Sequence, residues 1–407
     1  MFSNHHYDYI IVGGGAAGLS LAYYLTLSTH CEKRVLILDK KAKTQNDRTW
    51  CFWTDTDLPY KSANLTAWYS LSFFCNDFAK SQSIDPLRYV YINSLNFYQE
   101  MAQQLAEYPS FETKVAEVFE IEEMEDIVWV NTKEGFYSAK WVFDSRLSPP
   151  VSSPKHMVLL QQFYGLWIET PEASFDASAA TLMDFRISQE NAVHFMYVLP
   201  ISENKALVEC TTFSDNLLNW EAYIAQIVHY LKHKVGVKEF SIQETERGII
   251  PMTNIPFPKQ VGKRVIPIGR AAGLTKPSTG YTFLNIQKDS QEIVQSLEET
   301  GTPYMRSSRK NRYIFYDTLL LYLIQHEPTK IPIIFSELFK KNDFPKILRF
   351  LGEEGSLWED LRIILKLPWS PFLKAYWNYY VRAKHTDIRT KKTNKRTFVL
   401  VPFFKTD

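Results

Sequence analysis

The chain has 407 residues, room for two domains or one large composite at roughly 100 to 200 residues per domain. Its 46 basic and 45 acidic side chains leave a formal charge of +1, so no overall field recruits nucleic acid or another polyanion. Four cysteines, Cys31, Cys51, Cys75 and Cys210, are scattered without CxxC spacing, which argues against a disulfide framework and a metal site and fits a reducing cytoplasm.

The first element is "YDYIIVGGGAAGLSLAYYL", residues 7–25. Its apolar run lacks a basic leader and is broken by glycines, so it reads as fold rather than as a signal peptide. Tyr7 to Val12 has the continuous hydrophobicity of a strand buried on both faces of a parallel sheet. Gly13, Gly15 and Gly18 form GxGxxG, Ala16 and Ala17 open a helix, and "RVLILD" at 34–39 completes a β-α-β unit ending in Asp39. In that setting the glycines allow a tight turn, approach of a diphosphate and close packing of helix on strand, while the acid can accept from a ribose hydroxyl. The helix N-terminus meets the negative charge.

Farther along, "SLNFYQEMAQQLAE" (94–107) has helical periodicity, and 111–143 reads as short strands with acidic turns, closing in "KWVFDSR", where Asp144 ends a strand. From 158 to 213, long alternating segments predict a largely antiparallel sheet rich in aromatics. At 265–297 the strand, glycine loop and helix order returns, so late sequence rejoins the nucleotide sheet. Beyond 301, "YIFYDTLLLYLIQ" and "PWSPFLKAYWNYYV" read as helical or interfacial, and "KKTNKRTFVLVPFFKTD" as a solvated tail or a membrane-surface patch. No apolar run reaches the roughly 18 residues a spanning helix needs.

This predicts an α/β fold of the two-domain FAD-binding flavoprotein kind: a discontinuous nucleotide domain (1–150 and 245–300), an antiparallel substrate sheet (151–244) and a helical region (301–407) closing the cleft. Within that superfamily, "DRTWCFW" (47–53), "DSR" (144–146), "LMDFR" (182–186), "FMYVLP" (195–200), "LVECTTFS" (207–214), "ERGIIPM" (246–252) and "GRAAGLTKPSTGY" (269–281) resemble, in order and spacing, the lycopene beta-cyclase family of carotenoid biosynthesis. The resemblance covers roughly residues 7–300. It implies an enzyme that uses FAD, reduced by NAD(P)H, to close the linear ends of lycopene into beta-ionone rings without net redox change. A membrane-dissolved substrate further implies a cytoplasmic protein bound to the membrane surface.

The resemblance also distributes roles. Glu209, in an alternating apolar strand, matches the family's catalytic glutamate, and burial would keep such a carboxyl protonated. Asp184 is either its partner in proton transfer or one half of an ion pair with Arg186. Glu246 either accepts a hydrogen bond from the flavin region or pairs with Arg247. Phe163, Tyr164, Trp167, Phe195 and Tyr197 are candidates to line a dry cleft that steadies a cation. Arg48 and Trp50 fall where the family places a loop near flavin and substrate; a turn with a solvated Asp47–Arg48 pair is the alternative. Asp144, Gly269, Gly273, Gly280 and Tyr281 are expected at the cofactor. Many flavin hydroxylases carry Gly-Asp at the second loop, where Gly269-Arg270 stands here; Arg270 cannot accept a hydrogen bond but could pair with phosphate. The rival readings are a FAD-dependent hydroxylase or isoprenoid reductase, and a flavin-free lipid-carrying chaperone of prenylated GTPases, whose degraded glycine fingerprint is not found here.

Overall fold

The computed structural model describes residues 5–58, 66–146, 156–190, 192–303 and 309–382; the basic-apolar stretch at 391–407 lies outside them. The strand His6–Val12 is buried from Tyr9 onward and pairs in parallel with Val35–Asp39 on one side and Gly135–Asp144 on the other. Phe111–Val115 extends this sheet at one edge, and the antiparallel strands Ile127–Thr132 and Val118–Met124 extend it at the other. Val265–Pro267 pairs in parallel with the end of Gly135–Asp144, so the late segment does rejoin the first sheet.

The helix Ala16–Thr26 is buried from Ala17 to its end and shares one core with the helix Phe283–Thr300, Leu21, Ala22 and Leu25 meeting Ile293, Val294 and Leu297. Its first turn is possible only with glycine, because a Cβ on Gly18 would lie 1.9 Å from the Gly13 carbonyl oxygen.

The second sheet has seven strands in the order Ser241–Thr253, Val158–Glu169, Lys205–Ser214, Val193–Pro200, Ala179–Asp184, Ser70–Cys75 and Phe78–Ser83. All neighbours are antiparallel except Ala179–Asp184 with Ser70–Cys75. This corrects the expected boundaries twice. The hairpin 70–83 leaves the nucleotide domain to pair here, and Ser241–Thr253 adds to Val158–Glu169 instead of returning at 245. A third, three-stranded sheet, Thr49–Thr54, Arg88–Asn93 and Thr66–Trp68, stands between the two units.

One face of the second sheet is covered by the helix Trp220–Tyr230, whose Tyr223, Ile227 and Tyr230 pack on Leu166, Val208 and Met196. Strand alternation sends the neighbouring residues Trp167, Leu207, Phe195 and Phe213 to the other face. There they join the helices Asn311–His326, Ile331–Lys341 and Phe344–Leu351, with Phe73 stacked on Phe339 at 4.2 Å. Phe339 is fully buried, worth about 1.5–3 kcal/mol. Among the described residues no helix is long and apolar enough to cross a membrane.

Candidate active site

The glycine turn holds Asp39 where the sequence put it: its Oδ2 accepts the Gly14 amide at 2.7 Å, and Lys43 Nζ lies 3.5 Å away. Gly15, in extended backbone, caps the helix without a side-chain hydrogen bond, and no acidic residue occupies the first turn. A Cβ built on Gly15 meets nothing within 4 Å, so the helix N-terminus opens onto free space of the kind a diphosphate needs.

The second glycine loop closes against this turn. Gly269 has φ +60°, and its Cβ position lies 2.7 Å from the Ala17 methyl, so the two loops touch. Gly273 caps the short helical turn Gly269–Ala272 in the left-handed region. Gly280, φ +75°, leaves room for the Gln161 amide, whose Oε1 would lie 2.3 Å from an added Cβ. The loop is fastened to the C-terminal helices through Lys276, which reaches Asp317 at 3.1 Å and Glu353 at 2.7 Å, while Arg309 reaches Asp317 at 2.7 Å. Arg48 and Arg270 bring two positive charges near each other at the exposed rim. Gln161 Oε1, Thr279 Oγ1 and Trp167 Nε1 are buried without a hydrogen-bond partner. Open glycine backbone, paired arginines and orphaned polar atoms together fit a dinucleotide with a polar ring system such as FAD.

Asp144 is not free for that role. It sits at the strand end beside the turn, as expected, but both its oxygens are held by Arg146, at 3.0 Å from Nε and 2.8 Å from Nη2. The Asp47–Arg48 side-chain pair also does not form: Asp47 accepts from Tyr98 at 2.8 Å, and Arg48 donates to the Asp47 carbonyl.

Four side-chain positions form a row across the second sheet. Tyr197 faces Glu209, Glu209 faces Gly165, and Gly165 faces Glu246, on four adjacent strands. Glu209 is 9% exposed, and its Oε1 accepts from the Thr211 hydroxyl at 2.7 Å. Burial, then the charge of Glu246, push the Glu209 carboxyl well above the ordinary glutamate range. Glu246 is raised by burial as well, but it accepts a hydrogen bond from Thr49, which favours its anionic form. Burial thus favours keeping a proton on the pair, and Glu209, raised the more strongly, lacks the Thr49 hydroxyl that steadies Glu246. Glu246 does not pair with Arg247, whose guanidinium lies over Trp220 on the opposite face, 5.4 Å from the ring centre.

Aromatic rings enclose the row. Phe163, Trp167, Phe195 and Tyr197 share the face of Glu209, Trp167 meeting Tyr91 edge-on at 5.5 Å. Tyr164 points the other way, against Trp220. The Tyr89 hydroxyl bonds those of Tyr197 at 2.7 Å and Tyr281 at 3.1 Å, and Trp53 meets Tyr281 at 4.6 Å. Tyr281 thus belongs to the phenol cluster beside the acid. Burial raises all three phenols, so they stay neutral donors and acceptors.

Two expected site residues lie elsewhere. Trp50 stacks on Phe283 at 5.3 Å within the nucleotide core; alternation turns Thr49, Cys51 and Trp53 of the same strand to the acid instead. Asp184 is wholly buried on the far face, bidentate to Arg186 (2.9 Å to Nε, 2.5 Å to Nη2) and accepting from Tyr230 at 2.8 Å. The cause is a register irregularity: Thr181 opposes Val198 but Asp184 opposes Met196, three steps against two, so parity inverts. Sequence reasoning passed over Tyr89 and Tyr91, although the alternation in "RYVYIN" signals them.

A dinucleotide unit joined to an antiparallel sheet and C-terminal helices defines the class as the fold of FAD-dependent flavoproteins. Solved structures share it: a geranylgeranyl bacteriochlorophyll reductase-like protein from Thermoplasma acidophilum (TM-score 0.59, 12% identity, 94% of this chain and 99% of that one) and a halogenase PltM variant solved with FAD (0.55, 13%, 85% and 79%). The chain belongs to the lycopene cyclase protein family, whose pattern it matches over residues 8–376. It is 24% identical to the lycopene beta-cyclase of Pseudescherichia vulneris over 91% of this chain and 96% of that one. With the Pantoea ananas lycopene beta-cyclase it shares 28% over 68% and 71%. The similarity to the plant enzyme of Narcissus pseudonarcissus, 35%, is confined to 30% of this chain and spans about a quarter (26%) of the plant protein.

Proposed function

We propose that the protein is a lycopene beta-cyclase, closing the linear ends of lycopene into beta-ionone rings by acid-initiated cyclisation with no net redox change. The observation that carries this reading is Glu209, buried on an aromatic-lined sheet face that pushes its carboxyl above the ordinary glutamate range, in a member of the lycopene cyclase family. Glu209 gives its proton to the terminal double bond. Phe163, Trp167, Phe195 and Tyr197 exclude water and offer ring faces to the tertiary cation, each such contact worth about 0.5–2 kcal/mol. An internal double bond closes the ring, and loss of a proton ends the reaction. FAD, reduced by NAD(P)H and held by Gly13 to Gly18 (with Ala16 and Ala17), Asp39, Arg48 and the 269–281 loop, would supply a stabilising negative charge when bound.

The substrate dissolves in lipid, and the reading extends to a protein docked on the inner face of a membrane. Trp358, Trp369, Leu373 and Trp377 are 74%, 52%, 61% and 58% exposed at the C-terminal helices. Trp369 and Leu373 also line an apolar cavity of about 390 Å³ whose lining includes Lys276 and Asp317. Exposed tryptophans of this kind suit a lipid interface. Pigment analysis of lycopene-accumulating bacteria expressing the chain tests the function; beta-ring carotenoids are expected. Stoichiometric consumption of nicotinamide with a hydroxylated or reduced product would replace the reading.

A further inference from the structure

Gly165 is the only member of the transverse row without a side chain, and its place decides what its neighbours can do. It pairs with Glu209 on one side and with Glu246 on the other. A Cβ there would lie 2.8 Å from Leu207 Cδ1, 3.0 Å from Glu246 Cγ and 3.6 Å from Glu209 Cβ. The missing methyl is the space in which two acids from non-adjacent strands meet. Among the described residues no lysine or arginine forms an ion pair with either carboxyl.

We propose that Glu246 is a positioning residue acting through Glu209: across Gly165 the two carboxyls hold one proton, and the doubly deprotonated pair left after its donation is the base that takes a proton back. This rests on the cyclase reading and supplies its proton acceptor. The Glu209 O–H bond breaks as the terminal alkene's π pair forms a C–H bond. A second alkene closes the ring, a C–H bond beside the resulting cation breaks, and its electron pair becomes the ring double bond. The released proton returns to the pair. No electrons are gained or lost, so no oxidant is needed. Two adjacent carboxylates in dry surroundings repel each other, which favours the return.

The groups facing the pair from each neighbouring element do not neutralise it. Thr49 and Cys51 come from one strand, Tyr89 and Tyr91 from the next, Tyr197 and Thr211 from the sheet, Tyr281 from the second glycine loop, and Arg48 is a cation whose charge reaches Glu246. Arg48 is exposed at the rim and acts on Glu246, favouring Glu209 as the proton's place.

The test uses the flavin-loaded wild type, Glu246→Gln, Glu246→Asp, Gly165→Ala and Glu209→Gln. Infrared absorption of the protonated carboxyl is titrated without lycopene, and turnover per bound flavin is followed against pH. The wild-type band should persist to alkaline pH and vanish in Glu209→Gln. In Glu246→Gln and in Gly165→Ala its midpoint should fall by about one pH unit or more, with the alkaline limb of turnover moving alongside; Glu246→Asp should restore part of both. An unmoved midpoint in either flavin-retaining variant overturns the shared proton. A shifted midpoint in a chain that leaves lycopene unchanged upholds the pair and sinks the cyclase reading instead.

Discussion

Asp184 and Glu209 belong to the same largely antiparallel sheet and both are buried, yet the groups that surround their carboxyls differ in kind. Asp184 is held by a bidentate guanidinium, with the backbone amide of the same arginine and a phenol also donating to it. Glu209 has a hydroxyl, a second carboxyl and rings, a setting that disfavours its anion. Burial alone therefore does not mark a catalytic acid. What separates structure from chemistry here is whether the fold supplies a counter-charge.

Substitution at the two positions tests that contrast. Glu209→Gln keeps size and hydrogen bonding but has no proton to give, so lycopene converted per bound flavin should fall at least roughly a hundredfold with fold and FAD content intact. Glu209→Asp should fall between. The assay is anaerobic with pre-reduced FAD, and near wild-type turnover in the Gln variant would move the acid elsewhere. Gly15→Val serves as the opposite control: a side chain in the open space beside the helix N-terminus should empty the protein of flavin while Glu209 is untouched. Normal flavin retention by the well-folded variant would remove the N-terminal loop as the site.

Asp184→Asn should do the reverse of Glu209→Gln. It should cost about 1–3 kcal/mol in denaturant unfolding through loss of hydrogen bonds to a charged group, Arg186 being partly solvated, and leave turnover per flavin within about threefold. Lost turnover at full stability would erase the contrast.

The smallest expected effect is a pH dependence of stability. Because the folded-state pKa of Glu209 is raised, the folded state binds more protons than the unfolded one above the ordinary glutamate pKa. Stability conferred on the wild type by this group is thus fully present below that pKa and declines as pH rises toward the folded value, by at most about 1.4 kcal/mol per pH unit. Glu209→Gln should lack this decline, so the two melting curves should diverge as pH increases; parallel curves would mean Glu209 is ionised when folded.

The nucleotide unit was legible because its constraints are local. The Gly13–Gly18 turn, the helix and Asp39 lie within one β-α-β stretch, and each residue's role follows from its neighbours in the chain. Glu209 was legible through its family motif and its alternating strand. The meeting of Glu209 with Glu246 was not, since it depends on the register of two strands against a third and on the absence of a side chain at Gly165. Of the two readings of Asp184 the ion pair with Arg186 is the one that forms, and what takes it away from Glu209 is an irregularity that inverts strand parity, which no pattern of alternation contains. The three-stranded sheet likewise hides its faces, since nothing in the sequence says that Thr49, Cys51 and Trp53, and not Trp50, turn to the acid pair.

That short strand, Thr49–Thr54, has Phe283 stacked against Trp50 and Phe52 on one side, at 5.3 and 5.2 Å, and Glu246 bonded to Thr49 on the other. The nucleotide core and the acid pair are therefore separated by the thickness of a single extended backbone. A scan of substitutions along it should give defects with a period of two, cofactor retention at the even positions and turnover at the odd ones. The same partition makes any displacement of the helix that begins at Phe283 a displacement of the hydroxyl that holds Glu246, so cofactor seating and acid geometry cannot vary independently.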